Sequence, residues 1–210
     1  MTIYTGFVQL TDLPDGFLEL NSNILTEQER SYAGAMTNWL QQSEWRCGRI
    51  LLRYLITTAY DVPVSDIRIH SLSSGQLVAE MPAGQVYVSH ARIPGVWVGA
   101  TSDAYPVGVD LVNRADFPVD IDGKERSAED WAGVEALAKL TSKGLAWALT
   151  AACYPVDGFI SSPDGNRFRP VSIDGTPEHI HATLLTTAEK VPNVVAVDLL
   201  ANLLPDVHNN

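Results

Sequence analysis

Residues 105–112 read YPVGVDLV, and this run decides the fold. In an extended strand, side chains alternate between faces. Val107, Val109 and Leu111 therefore share one face, and Gly108, Asp110 and Val112 share the other. A carboxylate is thus set into an otherwise apolar strand. The run follows a turn at Ser102-Asp103 and precedes an acidic, turn-rich stretch at 113–126. Beyond that stretch, Ser127 to Asp130 forms a capping box that opens a helix predicted over about 128–152. After Tyr154-Pro155 come β-like runs near 157–162, 166–172, 179–186 and 193–199.

The residues before 105 follow a similar order. Residues 2–9 (TIYTGFVQ) read as an opening strand, closed by the turn chemistry of TDLPDG. Thr26 to Glu29 is a second capping box, and the helix it opens is predicted to run to about Gln42. A further helix carries Trp45, Ile50, Leu51, Tyr54 and Leu55 on one apolar stripe, with Arg46, Arg49 and Arg53 on the other flank. It ends at Val62-Pro63, and β-like runs follow at 66–72, 85–90 and 95–101. Strand, helix and strands are followed by helix and strands. This predicts an α+β fold of two similar halves, 1–108 and 109–210, meeting near residues 102–112.

Charge narrows the function classes. The 210 residues carry 14 basic and 25 acidic side chains, a formal charge of −11. The half 1–108 has 6 basic and 10 acidic residues, and the half 109–210 has 8 and 15, so neither is basic. Phosphate backbones are bound through clustered Lys and Arg, so nucleic acid is excluded as the main partner. An anionic membrane surface is excluded on the same ground. No signal-like start and no apolar run long enough to span a bilayer are read, and a cytoplasmic location is expected. Cys47 and Cys153 form no CxxC pair and read as two reduced, buried thiols. Trp39, Trp45, Trp97 and Trp147 read as core. His179 and His181 alternate on a β-like run without a third ligand type nearby, so they read as surface or core histidines.

Three clusters carry chemistry. Ser89-His90 closes one strand, Asp110 lies in the strand quoted above, and Trp131, Glu135 and Lys139 stack at i, i+4 and i+8 on one helix face. Taken singly, each has a structural explanation. A strand-end Asp is commonly a turn residue, Glu135 and Lys139 make a solvated helix ion pair, and His90 is a hydrogen-bonded strand end.

Taken in order, GRILLR (48–53), VSHA (88–91), GVDLV (108–112), WAGVEALAK (131–139) and a Gly-Leu at 144–145 resemble a known pattern. It is that of the 4′-phosphopantetheinyl transferases of the surfactin-synthetase-activating type, over roughly residues 3–200. The resemblance implies a pseudo-dimer of the two α+β halves with the active site in the cleft between them. It implies transfer of 4′-phosphopantetheine from coenzyme A to a serine of an acyl or peptidyl carrier protein, with 3′,5′-ADP leaving. Carried over residue by residue, Asp110 and Glu135 become Mg²⁺ ligands, and Glu135 also activates the carrier serine. Lys139 neutralises the leaving phosphate. Ser89 and His90 contact the 3′-phosphate of coenzyme A, Arg49 is a further phosphate contact, and Arg53 is structural.

The chain also departs from that pattern. Val112 stands where the family often has Glu, Val134 where it has Lys, Gln76 replaces Lys in a Gly-Lys-Pro, and Glu44 aligns with a common Arg. The interval from Asp110 to Glu135 is short and acidic, a surface that repels acidic carriers. These departures define the alternative: the same fold with transfer lost, used for other acid/base chemistry on a small molecule or for non-catalytic binding in a biosynthetic pathway.

Overall fold

The computed structural model describes residues 2–121, 123–150, 159–173, 176–187 and 192–203. Strand β1 (Thr2–Gln9) leads through a short helix α1 (Phe17–Leu20) to α2 (Glu27–Gly34) and the long α3 (Trp39–Tyr60). Strands β2 (Arg68–Ser71), β3 (Leu77–Met81), β4 (Gly84–Ile93) and β5 (Val96–Ser102) then form an antiparallel meander. Strand β6 (Val107–Asn113) opens a second sheet. A small hairpin, β7 (Val119–Ile121) and β8 (Lys124–Arg126), precedes α4 (Ala128–Thr141) and α5 (Leu145–Leu149). Strands β9 (Ile160–Ser161), β10 (Arg167–Ser172), β11 (Ile180–Thr186) and β12 (Asn193–Val197) follow, with a closing helix α6 (Leu199–Leu203).

The larger sheet is six-stranded, in the order β12-β1-β5-β4-β3-β2, and the second is four-stranded, in the order β6-β11-β10-β9. Strand β12 returns to the first sheet, running parallel to β1 with Thr2 opposite Asn193. Helix α3 covers one face of the six-stranded sheet through Ile50, Leu51, Leu55, Val86 and Val88. Helices α4 and α5 cover the outer face of the four-stranded sheet through Leu137, Leu140, Phe168 and Leu185. The remaining faces meet each other: Val98 and Ala100 of β5 pack with Val109 and Leu111 of β6 and Leu184 of β11. The layers are helix, sheet, sheet, helix. The α+β class is as the sequence predicted.

Several element boundaries differ from expectation. The helix expected from Thr26 to Gln42 stops at Gly34, because the Asn38 side chain accepts from the Leu40 and Gln41 amides and starts a new helix there. The helix expected over 128–152 breaks after Thr141, where Ser142 and Gly144 adopt positive φ; residues 151 and 152 lie outside the described residues. Strand β3 carries no alternating pattern in its sequence, LVAEM, and exists because β2 and β4 pair with it on both sides. The acidic, turn-rich stretch also holds the β7–β8 hairpin, whose turn is closed by the Gly123 amide donating to Asp120 Oδ1. Trp39, expected in the core, is 74% exposed, whereas Trp97 is buried.

One contact places the second layer pair. A Cβ added at Gly108 of β6 lies 2.1 Å from the Ala136 carbonyl oxygen and 2.7 Å from the Leu140 nitrogen, both backbone atoms of α4. Helix α4 therefore lies directly against the backbone of β6. Gly108→Ala is expected to cost about 1–3 kcal/mol or more through overpacking. Gly34→Ala, at a position with nothing within 4 Å, is expected to be neutral or to gain up to about 1 kcal/mol. Urea unfolding of the two variants checks both; equal midpoints would show that α4 can shift without cost.

Candidate functional site

The face of β6 that Gly108 turns toward α4 also carries Asp110 and Val112. Val112 packs with Ala128 and Ala132, and Asp110 meets the next turn of α4. Asp110 is 3% exposed, and its Oδ1 accepts from Lys139 Nζ at 2.6 Å. Lys139 also donates to the carbonyls of Val109 at 3.1 Å and His90 at 3.3 Å, so one ammonium ties α4 to β6 and β4. Asp110 Oδ2 is buried without a hydrogen-bond partner. Burial is the main reason the Asp110 carboxyl is pushed up to about 7; Lys139 opposes the rise and the adjacent Glu135 adds to it.

Ser89 and His90 point to opposite faces of β4, yet both reach the same cleft. Ser89 Oγ accepts from the Val109 amide at 3.0 Å, which stitches β4 to β6 between the sheets. His90 packs against α3 at Gly48, where an added Cβ would lie 3.0 Å from the imidazole Cε1, and it stacks on Trp97. Its Nδ1 is buried without a partner. Burial first, then the charges of Lys139, Arg49 and Arg92, hold His90 well below its ordinary pKa, so the ring is neutral at pH 7.

These residues line a cleft of about 740 Å³. Asp110, Glu135 and Lys139 line it from β6 and α4, and Ser89, His90 and Arg92 line it from β4. Trp45, Leu77, Ala138, Ser142 and Leu145 complete the wall. The β2–β3 turn closes one end: Gln76 Nε2 donates to the Leu140 carbonyl at 2.8 Å, capping α4. Gly75, at φ +92°, passes so close to Ser142 that a Cβ would lie 3.2 Å from it.

Five of the residues singled out from the sequence, Ser89, His90, Asp110, Glu135 and Lys139, are brought together in this cleft. Arg49 is not among the lining residues: it lies beside the cleft, over the Trp45 ring at 5.1 Å, and burial lowers its pKa. Arg53 is 0% exposed and pairs with Glu29 at 2.7 Å, locking the start of α2 onto α3. Trp45 is a cleft wall and a partner of Tyr32, not core. Val134 of α4 is fully buried in the core with Leu137 and Leu140, and Cys47 is a buried free thiol with its pKa pushed up to about 11 by burial. Cys153 lies outside the described residues. His181 pairs with Thr183 and Arg114, with Glu129 nearby.

Sequence reasoning missed Arg92. It pairs with Glu44 of α3 at 3.1 Å and lines the cleft. The signal was present, because Arg92 is two residues beyond His90 and shares its strand face.

The chain resembles a known enzyme over part of its length. It is 28% identical to the 4′-phosphopantetheinyl transferase psf-1 of Bacillus pumilus over 126 residues, 50% of this chain and 52% of that protein. The match thus spans about half of that relative's length. No family model matches the chain. No described helix is long and apolar enough to cross a membrane.

The donor set fits a magnesium ion. Among the described residues no group of three or more His, Cys, Asp or Glu is placed to hold a metal by itself. Magnesium needs only one or two carboxylates when water and substrate phosphates fill its shell. The orphaned Oδ2 of Asp110 beside Glu135 is such a pair.

The raised Asp110 pKa has a stability consequence. A carboxyl that titrates near 3.8 unfolded and near 7 folded gains a proton on folding between those values. Its contribution favours folding below about pH 4 and is lost as pH rises through about 7. Asp110→Asn removes that loss. The variant's melting temperature, compared with wild type in metal-free buffer, should rise progressively from pH 4 to pH 7 and then level off; a constant difference would sink the assignment.

Proposed function

We propose that the chain transfers 4′-phosphopantetheine from coenzyme A to a serine of an acyl or peptidyl carrier protein, with magnesium bound at Asp110 and Glu135. The observation that carries this reading is the buried Asp110 carboxylate, held at Oδ1 by Lys139, with Oδ2 left without a partner beside Glu135 in an open cleft. The likeness to a 4′-phosphopantetheinyl transferase supports it. Two sheets packed face to face, each covered by helices on its outer side, support the pseudo-dimer reading, with β12 and α6 of the second half joining the first half's layer.

In this reaction the serine oxygen attacks the phosphorus that bears the pantetheine arm. A new P–O bond forms, the bond to 3′,5′-ADP breaks, and the serine proton must leave. A bound magnesium ion supplies neutralisation of the diphosphate charge. Glu135, partly buried on the cleft wall, accepts the serine proton. Lys139 holds its charge in the last turn of α4 against the departing phosphate, oriented by Asp110 and two carbonyls. Neutral His90 and the free O–H of Ser89 can donate to phosphate oxygens without drawing a second cation into the cleft.

The alternative, a retained fold without transfer, draws on one observation: all three donors of Lys139 are already engaged by the protein. Incubation with coenzyme A, Mg²⁺ and a panel of apo carrier proteins separates the two readings. The mass gain of one phosphopantetheine on a carrier is expected for the wild type. Glu135→Gln should lower the rate at least about 100-fold with an unchanged melting curve. Binding of coenzyme A without modification of any carrier would favour the alternative.

A further inference from the structure

The cleft walls contain two cations among the lining residues, Lys139 and Arg92. An ammonium has three donors, and Lys139 spends them on Asp110, Val109 and His90. A guanidinium has five N–H donors in a planar fork, and Arg92 engages Glu44 through Nη2 at 3.1 Å. Arg92 is one-third exposed, beside His90 on the α3-facing side of β4, so its remaining donors are accessible from the cleft. Glu44 sits behind it, between this cleft and a smaller cavity lined by Leu13, Phe17, Ser43 and Cys47. It holds the guanidinium, and it also sets a negative charge next to any anion that reaches it.

We infer that Arg92 is the cation that binds a phosphate group of the nucleotide ligand in this cleft, and that Glu44 is the anion the phosphate competes with. This rests on the coenzyme A reading above and adds to it the residue that recognises charge. Phosphate matches the guanidinium fork through paired, charge-assisted hydrogen bonds, which a carboxylate on one edge of the fork leaves possible. The Glu44 carboxylate repels a bound phosphate, so affinity is set by the balance of the two side chains and not by Arg92 alone.

The test is calorimetric titration of the full chain with coenzyme A and with dephospho-coenzyme A, in Mg²⁺. Arg92→Gln should weaken coenzyme A binding at least tenfold, and Arg92→Lys should weaken it less. Glu44→Gln keeps an acceptor for the guanidinium but removes the charge, so it should tighten binding about threefold. The double variant should bind like Arg92→Gln. An effect confined to coenzyme A assigns Arg92 to the 3′-phosphate, and an equal effect on both ligands assigns it to the diphosphate. Wild-type binding with Arg92→Gln within twofold of it would overturn this inference and leave the transferase reading standing. Weaker binding by Glu44→Gln would overturn the competition. No binding of either ligand to the wild type would overturn both readings.

Discussion

Everything in the cleft depends on how closely α4 approaches β6. Two backbones come together at Gly108, where Ala136 and Leu140 occupy the space a side chain would need. Small residues continue the seam: Ala128 and Ala132 receive Val112, and Gly133 leaves room for Ile160. Asp110, one pleat beyond Gly108, meets Lys139 as a consequence. A bulkier residue at 108 would lift the helix, and the carboxylate and ammonium would part.

Electrostatics follow from that geometry. The cleft brings ionisable groups together, and each of the two cations among its described lining residues is paired with a carboxylate. Lys139 is held by Asp110 and Arg92 by Glu44. The buried Arg53–Glu29 pair does the same work outside the cleft, orienting α2 on α3; a pair of this kind adds little net stability, but breaking it leaves a buried charge. Glu29 also closes the capping box of α2, so one carboxylate serves a helix end and an interhelical contact. An acidic chain can in this way keep a few cations where they face a ligand without a basic surface.

The local features of the fold were legible in the sequence where the physics is local. Strand β1 formed over the residues read as an opening strand, both capping boxes formed, and the two faces of β6 were assigned correctly. What failed were features that depend on partners. Strand β3 is specified by β2 and β4, and the break between α2 and α3 depends on an Asn38 cap within a stretch that also reads as helical. The segment after Thr141 has helix-forming composition, yet Ser142 turns left-handed, where α4 ends next to the β2–β3 turn. Arg92 was overlooked because its meaning lies in Glu44, 48 positions earlier in the chain.

By itself, the sequence determined the α+β class, the acidic balance, and the identity of the side chains that could do chemistry, because composition, periodicity and capping act within a few residues. It also set Asp110 and Gly108 on one strand face, since alternation needs no partner. Only the tertiary structure decided which of those side chains share a cleft, and which cation there keeps donors for a ligand. It buried Asp110 enough to raise its pKa and left Oδ2 unpaired, and it spent all three donors of Lys139 on the protein. It moved Trp45 from core to cleft wall and left Arg49 over the Trp45 ring, outside the lining of the cleft. The reason is physical: burial, desolvation and the sharing of hydrogen-bond donors are set by contacts between segments far apart in the chain.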